Sequence, residues 1–565
     1  MKVSDYISQS ISNLGIDTVF GFQGSNITHI IDSISKNDKL RYLQTHHEQG
    51  AAFAANAYAQ IKGKTSVCVS SGGPGALNLI SGIANAWFDS IPCLFITGQL
   101  SNYSDIKNKR VRQQGFQQFD IVKTVSHFTK YAKTLKSPED IRFRLEKALY
   151  LALDSRKGPV LLDIPHNIAS SEIDPDKCRS FYSTFSDDRN EVLPFPNMAA
   201  INEVLKMIKN SKRPLILCGG GAASLRNGVL ADLAKQLDIP VVASLQGLDI
   251  IPHDNPLFSG FIGSYGNRYA NIAISECDLL LVLGSRLDPK QIGEFPNEFA
   301  KKAKIVHVEI DPLEIENIPF PVKSLFCSVE NFIKALSVLS NGVFLAHKKW
   351  RKRLNHLKEI YPAVDKSDDK TLPNEIIRET SMLFSGNDVI TADVGQNQMW
   401  TAQSVCIRDN MRLLNSGGLG SMGFSLPAAI GSAVAQKGSK VLCVSGDGGF
   451  QMNVQELNTV SRENLPIKML VMNNSSLGLI RTYQDIVFDN NIGSIEGFSS
   501  PDYKVLSKAY GIDYIAVRSA GEILEHKELF LNDRPLFCEV VMDSDTEVHP
   551  EPAYKMPVHI QSPLV

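Results

Sequence analysis

Three times along the chain, a short β-branched strand runs into a glycine-rich turn and then into a helical pattern. These turns fall at residues 65–75, 214–221 and 440–449, about one domain length apart. A strand that leads through a glycine turn into a helix is typical of parallel α/β layers, in which helices cover both faces of the sheet. The sequence therefore predicts an α/β protein with three doubly wound parallel-sheet domains.

Two stretches between these units have the composition of linkers. Residues 173–196 are rich in Asp, Ser and Pro, and residues 348–369 form a strongly charged helical segment. A chain of 565 residues is also too long for one hydrophobic core. We expect domains at residues 1–180, 190–345 and 360–565.

Charge and hydropathy exclude several partners. The chain carries 58 Lys and Arg against 60 Asp and Glu, a net charge of -2, so no nucleic-acid partner is expected. No apolar stretch approaches the roughly 20 residues that cross a bilayer, and the N-terminus lacks a signal-peptide pattern. The nine cysteines have no CxxC spacing and mostly lie in apolar runs, as buried thiols do in a reducing compartment. We expect a cytoplasmic protein without a membrane partner.

Polar residues follow two neighbouring strands of the third domain. The strand at residues 441–444 leads into Gly446-Asp447-Gly448-Gly449, and the strand at residues 467–472 ends at Asn473-Asn474. The strands should be parallel and adjacent, which brings Asp447 and Asn474 to the same carboxyl edge. Hard oxygen ligands suit Mg²⁺, and the glycines allow a diphosphate to approach the backbone. Gly-Asp-Gly alone is equally an ordinary tight turn; the paired Asn favours a metal site.

The same segments resemble thiamin-diphosphate enzymes, and the wider sequence is similar to the acetohydroxyacid (acetolactate) synthase family. The resemblance rests on the Gly446-Asp447-Gly448 and Asn473-Asn474 motifs and on residues 393–396, 398–400, 416–420, 422–424 and 453–457. It implies pyrimidine-binding, central and diphosphate-binding domains in that order. It also implies a metal held by Asp447, Asn474 and the backbone carbonyl of Ser476.

The resemblance further implies which residues surround thiamin diphosphate in the third domain. Met422 is either an ordinary core methionine or, as in the family, the bulky residue that holds the cofactor in its bent form, and we favour the second interpretation. The remaining implied cofactor contacts are Gly395, Gln396, Gly420, Gly446, Gly448, Gly449, Leu477 and Gly478.

Glu48 is the principal candidate for acid–base catalysis. It precedes an alanine-rich helix, where an acidic residue also favours the helix N-terminus without any catalytic role. The family uses a Glu at this motif as the proton partner of the aminopyrimidine. Because these domains meet across a dimer interface in the family, the resemblance implies a homodimer or homotetramer in which Glu48 serves the partner subunit's cofactor.

Two further segments of the first domain resemble family features. Residues 71–76 and Asn78 match the strand-to-helix turn beside the aminopyrimidine, and we assign no catalytic role to Gly73 or Asn78. Residues 115–120 resemble the active-site loop that flanks the substrate, although the family commonly has an acid at Gln118. Phe116 and Gln117 are therefore candidates for the active site.

The central domain is a candidate flavin site. Glycine turns and acidic residues at strand ends suit a dinucleotide, although no clean GxGxxG is present. The resemblance to flavin-containing synthases favours bound FAD with a mainly structural role. The candidate flavin-binding residues are Gly260, Gly263, Arg286 and Asp311.

The resemblance implies pyruvate as the donor, which is decarboxylated before its two-carbon acetyl unit passes to a carbonyl acceptor. The residues at the positions that contact the acceptor in the family differ in this sequence. Lys290 stands where the family has an Arg that pairs with a 2-oxo acid, and Tyr483 replaces a Trp. Three hypotheses follow: acetolactate formation; acetyl transfer to a ketone such as a nucleotide-activated ketosugar or a diketone; and a non-catalytic nucleotide-binding homologue. Retention of Glu48 and the metal ligands argues against the last.

Overall fold

The protein, analysed as a computed structural model, is described for residues 1–101, 112–113, 115–183, 195–489, 491–493 and 496–564. Three six-stranded sheets follow one another along the chain, and the strand pairs within them are parallel. The predicted α/β fold class is confirmed. Within the described residues, no helix has the length and apolar character needed to cross a membrane.

The first sheet has the strand order β2-β1-β3-β4-β6-β5. Successive residues of β3 point into two separate cores, with Cys68 on one face and Val67 and Val69 on the other, so both faces are covered. Its strands are β1 (Thr18–Gly21), β2 (Arg41–Gln44), β3 (Ser66–Ser70), β4 (Cys93–Gln99), β5 (Tyr131–Thr134) and β6 (Val160–Pro165). The helices are α1 (Val3–Asn13), α2 (Thr28–Ser35), α3 (Glu48–Lys62), α4 (Pro74–Asn78), α5 (Ile80–Phe88), α6 (Ile121–Val125), α7 (Ile141–Leu153) and α8 (His166–Ser170).

The central sheet has the order β12-β11-β10-β7-β8-β9, which is the strand order of dinucleotide-binding doubly wound domains. Its strands are β7 (Pro214–Cys218), β8 (Val241–Ala243), β9 (Phe258–Phe261), β10 (Leu279–Leu283), β11 (Lys304–Glu309) and β12 (Lys323–Phe326). The helices are α9 (Met198–Asn210), α10 (Val229–Leu237), α11 (Arg268–Glu276), α12 (Pro289–Ile292), α13 (Pro312–Glu316), α14 (Val329–Leu339) and α15 (Lys348–Ile360).

Helix α15 lies in the charged stretch predicted to be a linker. Its Trp350, Leu354 and Leu357 are buried in a core with strands of the central sheet, and Trp350 Nε1 donates to the carbonyl of Pro214 at 3.0 Å. The helix therefore contributes to the central domain's core. The domain boundaries themselves stay predictions.

The third sheet has the order β14-β13-β15-β16-β18-β17, which repeats the topology of the first sheet. Its strands are β13 (Val389–Ala392), β14 (Arg412–Asn415), β15 (Val441–Gly446), β16 (Ile467–Asn473), β17 (Asp513–Val517) and β18 (Leu536–Val541). The helices are α16 (Leu372–Ser381), α17 (Gln396–Ser404), α18 (Ser425–Ala435), α19 (Asp447–Gln451), α20 (Leu457–Arg462), α21 (Gly478–Val487), α22 (Tyr503–Ala509), α23 (Ala520–Glu525) and α24 (Lys527–Leu531). Two short strands, β19 (Glu551–Pro552) and β20 (Gln561–Ser562), pair antiparallel near the C-terminus.

The first and third domains pack through α3 and α18, each of which follows the second strand of its own sheet. Helix α3 is rich in alanine, which favours helix formation and keeps its surface narrow. A Cβ placed on Gly431 would lie 2.0 Å from the carbonyl oxygen of Ala54. The helices therefore approach so closely that their backbones touch, and the two domains share one hydrophobic core.

Candidate active site

Asp447 and Asn474 lie at the carboxyl edge of the third sheet. Strands β15 and β16 are neighbours, and Gly446 is paired with Met472 in their register, so both chains leave the sheet side by side. Strand order reverses between β13 and β15, and ligands of doubly wound sheets bind at this reversal. The side chains predicted to bind a metal therefore occupy the position where this topology forms a crevice.

The carboxylate of Asp447 is buried, and its Oδ2 accepts a 2.8 Å hydrogen bond from Ser500 Oγ. Among the described residues, no Lys, Arg or His nitrogen lies within 4.0 Å of it. Burial raises the pKa of Asp447 because it removes water from the charged form, and the hydrogen bond from Ser500 opposes that shift. A divalent cation would supply the missing charge, so the site fits the metal that the sequence predicts.

Asn474 is fixed from two sides. Its Nδ2 donates to Gln396 Oε1 at 2.9 Å, and its Oδ1 accepts the backbone N–H of Ser476 at 3.2 Å. A carbonyl oxygen has a second lone pair, which remains for a metal. Gln396 also touches Gly478, where a Cβ would lie 1.8 Å from Gln396 Oε1. These predicted cofactor residues are thus brought together.

Met422 lies in a loop that Asp393 holds in place. The carboxylate of Asp393 accepts backbone N–H groups from Gly423 and Ser425, both at 2.9 Å. Burial nevertheless raises the pKa of Asp393 to about 6. Met422 Cε lies 3.5 Å from the position of a Cβ on Gly448. The loop therefore points the methionine at the glycine turn that carries Asp447.

The glycine turn that carries Asp447 has no room for a side chain at residues 448 and 449. A Cβ on Gly448 would lie 2.7 Å from Leu477, and one on Gly449 would lie 2.5 Å from Asp393 Oδ1. Gly395 and Gly420 adopt positive φ angles of 138° and 68°, which favour glycine. Of the atoms in the described part of the chain, none lies within 4 Å of the Cβ position at Gly420 beyond its own neighbours, so these residues leave space there.

Glu48 is the first residue of α3 and is 7% exposed. Its Oε2 accepts a 3.0 Å hydrogen bond from Asn78 Nδ2, and its Oε1 lies 2.9 Å from the Cβ position of Gly75. A side chain at residue 75 would also lie 2.6 Å from Ser71 Oγ and 2.7 Å from Ser70 Oγ, so these side chains and the carboxylate would have to shift to admit it. The turn after β3 therefore encloses Glu48 at the carboxyl edge of the first sheet.

The predicted active-site loop lies against this turn. A Cβ on Gly73 would lie 2.5 Å from the carbonyl oxygen of Gln117, and Gln117 itself has φ 61°. The side chain of Phe116 is 82% exposed. Phe116 and Gln117 are thus near the Glu48 turn, with the phenyl ring free to contact another molecule.

A cavity of about 1200 Å³ lies where the three domains meet. The central sheet reverses its strand order between β7 and β10, and Gly221 N–H donates to the Gly284 carbonyl at 2.9 Å across that reversal. The described residues lining the cavity include Gly220, Gly221, Ser285, Arg286, Lys290 and Glu309 from the central domain and Val394, Gln398, Gly420 and Leu479 from the third. The cavity therefore runs from the central crevice to the rim of the third-domain site.

Of the candidate flavin residues, Arg286 lines the cavity. Gly260 and Gly263 adopt positive φ angles beside lining residues, and the Cβ positions of both are filled by neighbouring atoms. Asp311 instead pairs with Arg156 of the first domain at 2.8 Å. Glu309, two residues earlier, faces the cavity, and burial raises its pKa.

The two acceptor candidates occupy different settings. Lys290 is exposed on α12 and lines the cavity. Asp288 caps the N-terminus of this helix, because its carboxylate accepts the backbone N–H of Lys290 at 2.8 Å. Tyr483 is 57% exposed on α21 and packs edge-to-face on Phe488 with 5.9 Å between ring centroids. Among the described residues that line the cavity, Tyr483 is not included.

The sequence prediction missed several side chains that the site uses. Ser500 holds Asp447, Asp393 holds the Met422 loop, and Asn78 holds Glu48, although Asn78 was given no catalytic role. The sequence could have indicated Asp393, because this residue follows β13 at the strand reversal. No sequence pattern indicates Ser500, since it lies far along the chain in an irregular segment.

Comparison with known families agrees with this geometry. Three models of thiamine pyrophosphate enzymes match the chain: the N-terminal TPP binding domain over residues 1–124, the central domain over 201–336, and the C-terminal TPP binding domain over 393–540. The protein is thus a thiamin-diphosphate enzyme.

Curated relatives narrow the class. A "Probable acetolactate synthase large subunit" of Methanocaldococcus jannaschii is 34% identical over 556 residues, covering 96% of this chain and 92% of the relative. An "Acetolactate synthase isozyme 2 large subunit" of Escherichia coli K12 is 33% identical, covering 97% of each chain. "Acetolactate synthase 1, chloroplastic" of Zea mays is 34% identical, covering 97% of this chain and 86% of the relative. The chain belongs to the acetolactate synthase family, whose enzymes form carbon–carbon bonds.

Proposed function

We propose that the protein decarboxylates pyruvate and joins the resulting two-carbon acetyl unit to a carbonyl acceptor, with a second 2-oxo acid as the preferred acceptor. The observation that carries this proposal is the buried carboxylate of Asp447, which has no cationic partner among the described residues, beside Asn474 at the carboxyl edge of the third sheet. Membership of the acetolactate synthase family supports the same reaction.

Asp447, Asn474 and the Ser476 carbonyl would hold Mg²⁺, and the metal would hold the diphosphate of the cofactor. When bound, thiamin diphosphate supplies the electron sink that allows a 2-oxo acid to lose carbon dioxide. The glycines at residues 446, 448 and 449 would let a diphosphate approach the backbone of this turn closely. Met422 projects toward that turn and would fix the orientation of the cofactor.

Glu48 would exchange a proton with the aminopyrimidine through Oε1, because Asn78 holds Oε2. Its burial excludes water from that exchange. We further propose a homodimer, alone or paired into a tetramer, in which Glu48 serves the cofactor of the partner subunit. Exposed apolar side chains from the first and third domains support such an interface: Leu77, Phe116, Leu419 and Met452.

FAD would occupy the cavity at the central strand reversal. The dinucleotide strand order, the paired glycine turns and a volume of about 1200 Å³ support this assignment. Arg286 would contact its phosphates, and Glu309 would accept from ribose hydroxyls. Nine free thiols among the cysteines, eight of them buried, support a location in the reducing cytoplasm.

The deciding experiment incubates the purified protein with pyruvate, thiamin diphosphate, Mg²⁺ and FAD and follows carbon dioxide release and products. Rapid acetolactate formation is expected. Decarboxylation that accelerates only when a ketone without a carboxylate is added would instead identify that class of acceptor, and no carbon dioxide release would overturn the proposal.

Three variants test the roles assigned to individual residues. E48Q should lose most turnover while it still binds cofactor, since it keeps the shape of the side chain but not its proton. D447A should lose Mg²⁺-dependent binding of thiamin diphosphate. Lys290→Arg tests the acceptor side, because a guanidinium binds a carboxylate through two hydrogen bonds and a lower KM for a 2-oxo acid is expected.

A further inference from the structure

A segment of the third domain, residues 453–463, holds the first-domain turn that leads into Glu48. We refer to this segment as the clamp. The backbone N–H of His46 donates to Glu456 Oε1 at 3.0 Å, and the His46 ring nitrogen Nε2 lies 2.8 Å from Asn458 Oδ1. Asn453 Nδ2 lies 3.2 Å from Gln49 Oε1. The clamp thus contacts residues on both sides of Glu48 in the sequence.

Asn453 makes a second contact with the same nitrogen. Its Nδ2 donates to the carbonyl of Gly423 at 2.7 Å, next to Met422. An amide NH₂ has two hydrogens, so one serves Gln49 and the other serves Gly423. Asn453 is 1% exposed, and Gln455 Nε2 donates to its Oδ1 at 3.2 Å, which fixes the orientation of the amide.

Glu456 reinforces the clamp at the N-terminus of α3. Its side chain is fully buried, and Thr459 Oγ donates to its Oε2 at 2.8 Å. A Cβ on Gly50 would lie 2.7 Å from Glu456 Oε1, so the first turn of α3 has no freedom to move toward it. A carboxylate here also favours the positive end of the helix.

We propose that Asn453 is a positioning residue for Glu48, which it holds through Gln49, while its bond to Gly423 anchors the amide in the third domain. This inference rests on the proposed role of Glu48. Proton transfer requires heavy atoms within about 3 Å of each other, and a displacement of roughly 1 Å can lower a rate about 100-fold. The third domain of one chain thereby sets the position of the Glu48 that would serve the partner subunit's cofactor.

A purely structural role for Asn453 makes a different prediction. An interdomain hydrogen bond that only stabilises the fold would affect stability and would act in the same way whether or not Glu48 carries a proton. Asn458 provides the matched control, because it belongs to the same clamp and contacts His46 but is exposed and has no contact with Gly423 among those described.

The experiment is a double-mutant cycle on the holoenzyme with thiamin diphosphate, Mg²⁺, FAD and pyruvate. N453A should lower kcat about 10- to 100-fold with KM for pyruvate changed less than about threefold. N458A should retain kcat. In an E48Q background, adding Q49A, which removes the contact with Asn453 and keeps the bond to Gly423, should change the residual rate less than about twofold. The affinity for thiamin diphosphate, measured separately, should be the same in Q49A and the parent.

The inference is overturned if Q49A leaves kcat unchanged in the parent, if it lowers kcat equally in the parent and E48Q backgrounds, or if N458A matches N453A. Where N453A does not fold, Q49A removes the same contact from the first-domain side and keeps the bond to Gly423. Full activity of E48Q alone would instead overturn the proposed role of Glu48, which distinguishes the two failures.

Discussion

Asn78 Nδ2 donates a 3.0 Å hydrogen bond to Oε2 of Glu48. Asn78 ends helix α4, and Glu48 begins α3, so the bond joins two helices of the first domain at the carboxyl edge of its sheet. The carboxylate is thereby held with one oxygen committed and the other available. Asn78 is a positioning residue for the proposed proton transfer.

Replacing Asn78 with Ala should lower turnover. A hydrogen bond to a charged group contributes about 1.5–3 kcal/mol, so we expect kcat to fall roughly 10- to 100-fold. Steady-state kinetics with saturating thiamin diphosphate measures the effect, and circular dichroism checks the fold. Turnover equal to that of the parent would show that Glu48 needs no such partner.

Replacing Gly431 with Ala should destabilise the contact between the first and third domains. The new Cβ would lie 2.0 Å from the backbone oxygen of Ala54, which no side-chain rotation can relieve. Overpacking of this kind costs about 1–3 kcal/mol, seen as a lower thermal midpoint.

G521A is the matched control, because Gly521 also lies in a helix, α23, and has space for a side chain. The nearest atom outside its adjacent residues would be Ser519 Oγ, 3.8 Å from the new Cβ. G521A should be neutral or slightly stabilising, since alanine favours a helix. Equal midpoints for G431A and G521A would show that α3 and α18 have room to separate.

Asp163 should make stability depend on pH. Burial raises its pKa to about 6, although Thr97, Thr134 and Gln99 donate hydrogen bonds to it. An unfolded Asp titrates near pH 3.9, so the folded protein binds the proton more tightly between those values. Stability is therefore lost as pH rises from about 4 to about 6, by up to roughly 3 kcal/mol.

D163N removes this titration while it keeps the shape of the side chain. The thermal midpoint of the parent should fall relative to that of D163N as pH rises from about 4.5 to 7. A difference that does not change across this range would contradict a raised pKa for Asp163.

Variants of Glu309 and Asp311 test which of these two carboxylates binds the ribose at the proposed flavin site. Glu309 lines the central cavity, whereas Asp311 pairs with Arg156. E309A should retain less flavin after purification, with affinity reduced about 10-fold or more because a charged hydrogen-bond acceptor is lost. D311A should retain it. Absorbance near the flavin maximum measures both, and the opposite order would restore Asp311 as the ribose partner.

The sequence predicted those features that depend on neighbouring strands. Asp447 and Asn474 could be placed together because each follows a strand of one strand–helix–strand unit, whose geometry is regular. The bond between Asn453 and Gln49 could not be predicted, because it joins residues 404 apart and depends on how two domains pack. The sequence singled out Asp311, whereas Glu309, two residues earlier, lines the cavity, since a single sequence does not locate the last residue of a strand.

Helices α3 and α18 occupy equivalent places in two sheets with the same strand order, and they pack on each other. Equivalent surfaces meet in this way across the two-fold axis of a homodimer. The third domain thus packs on the first as a second copy of that domain would. Because the two are parts of one chain, they are always present in equal amounts. Such a doubled scaffold would let the third domain bind phosphate and metal while the first carries the proposed proton carrier, without either domain having to do both.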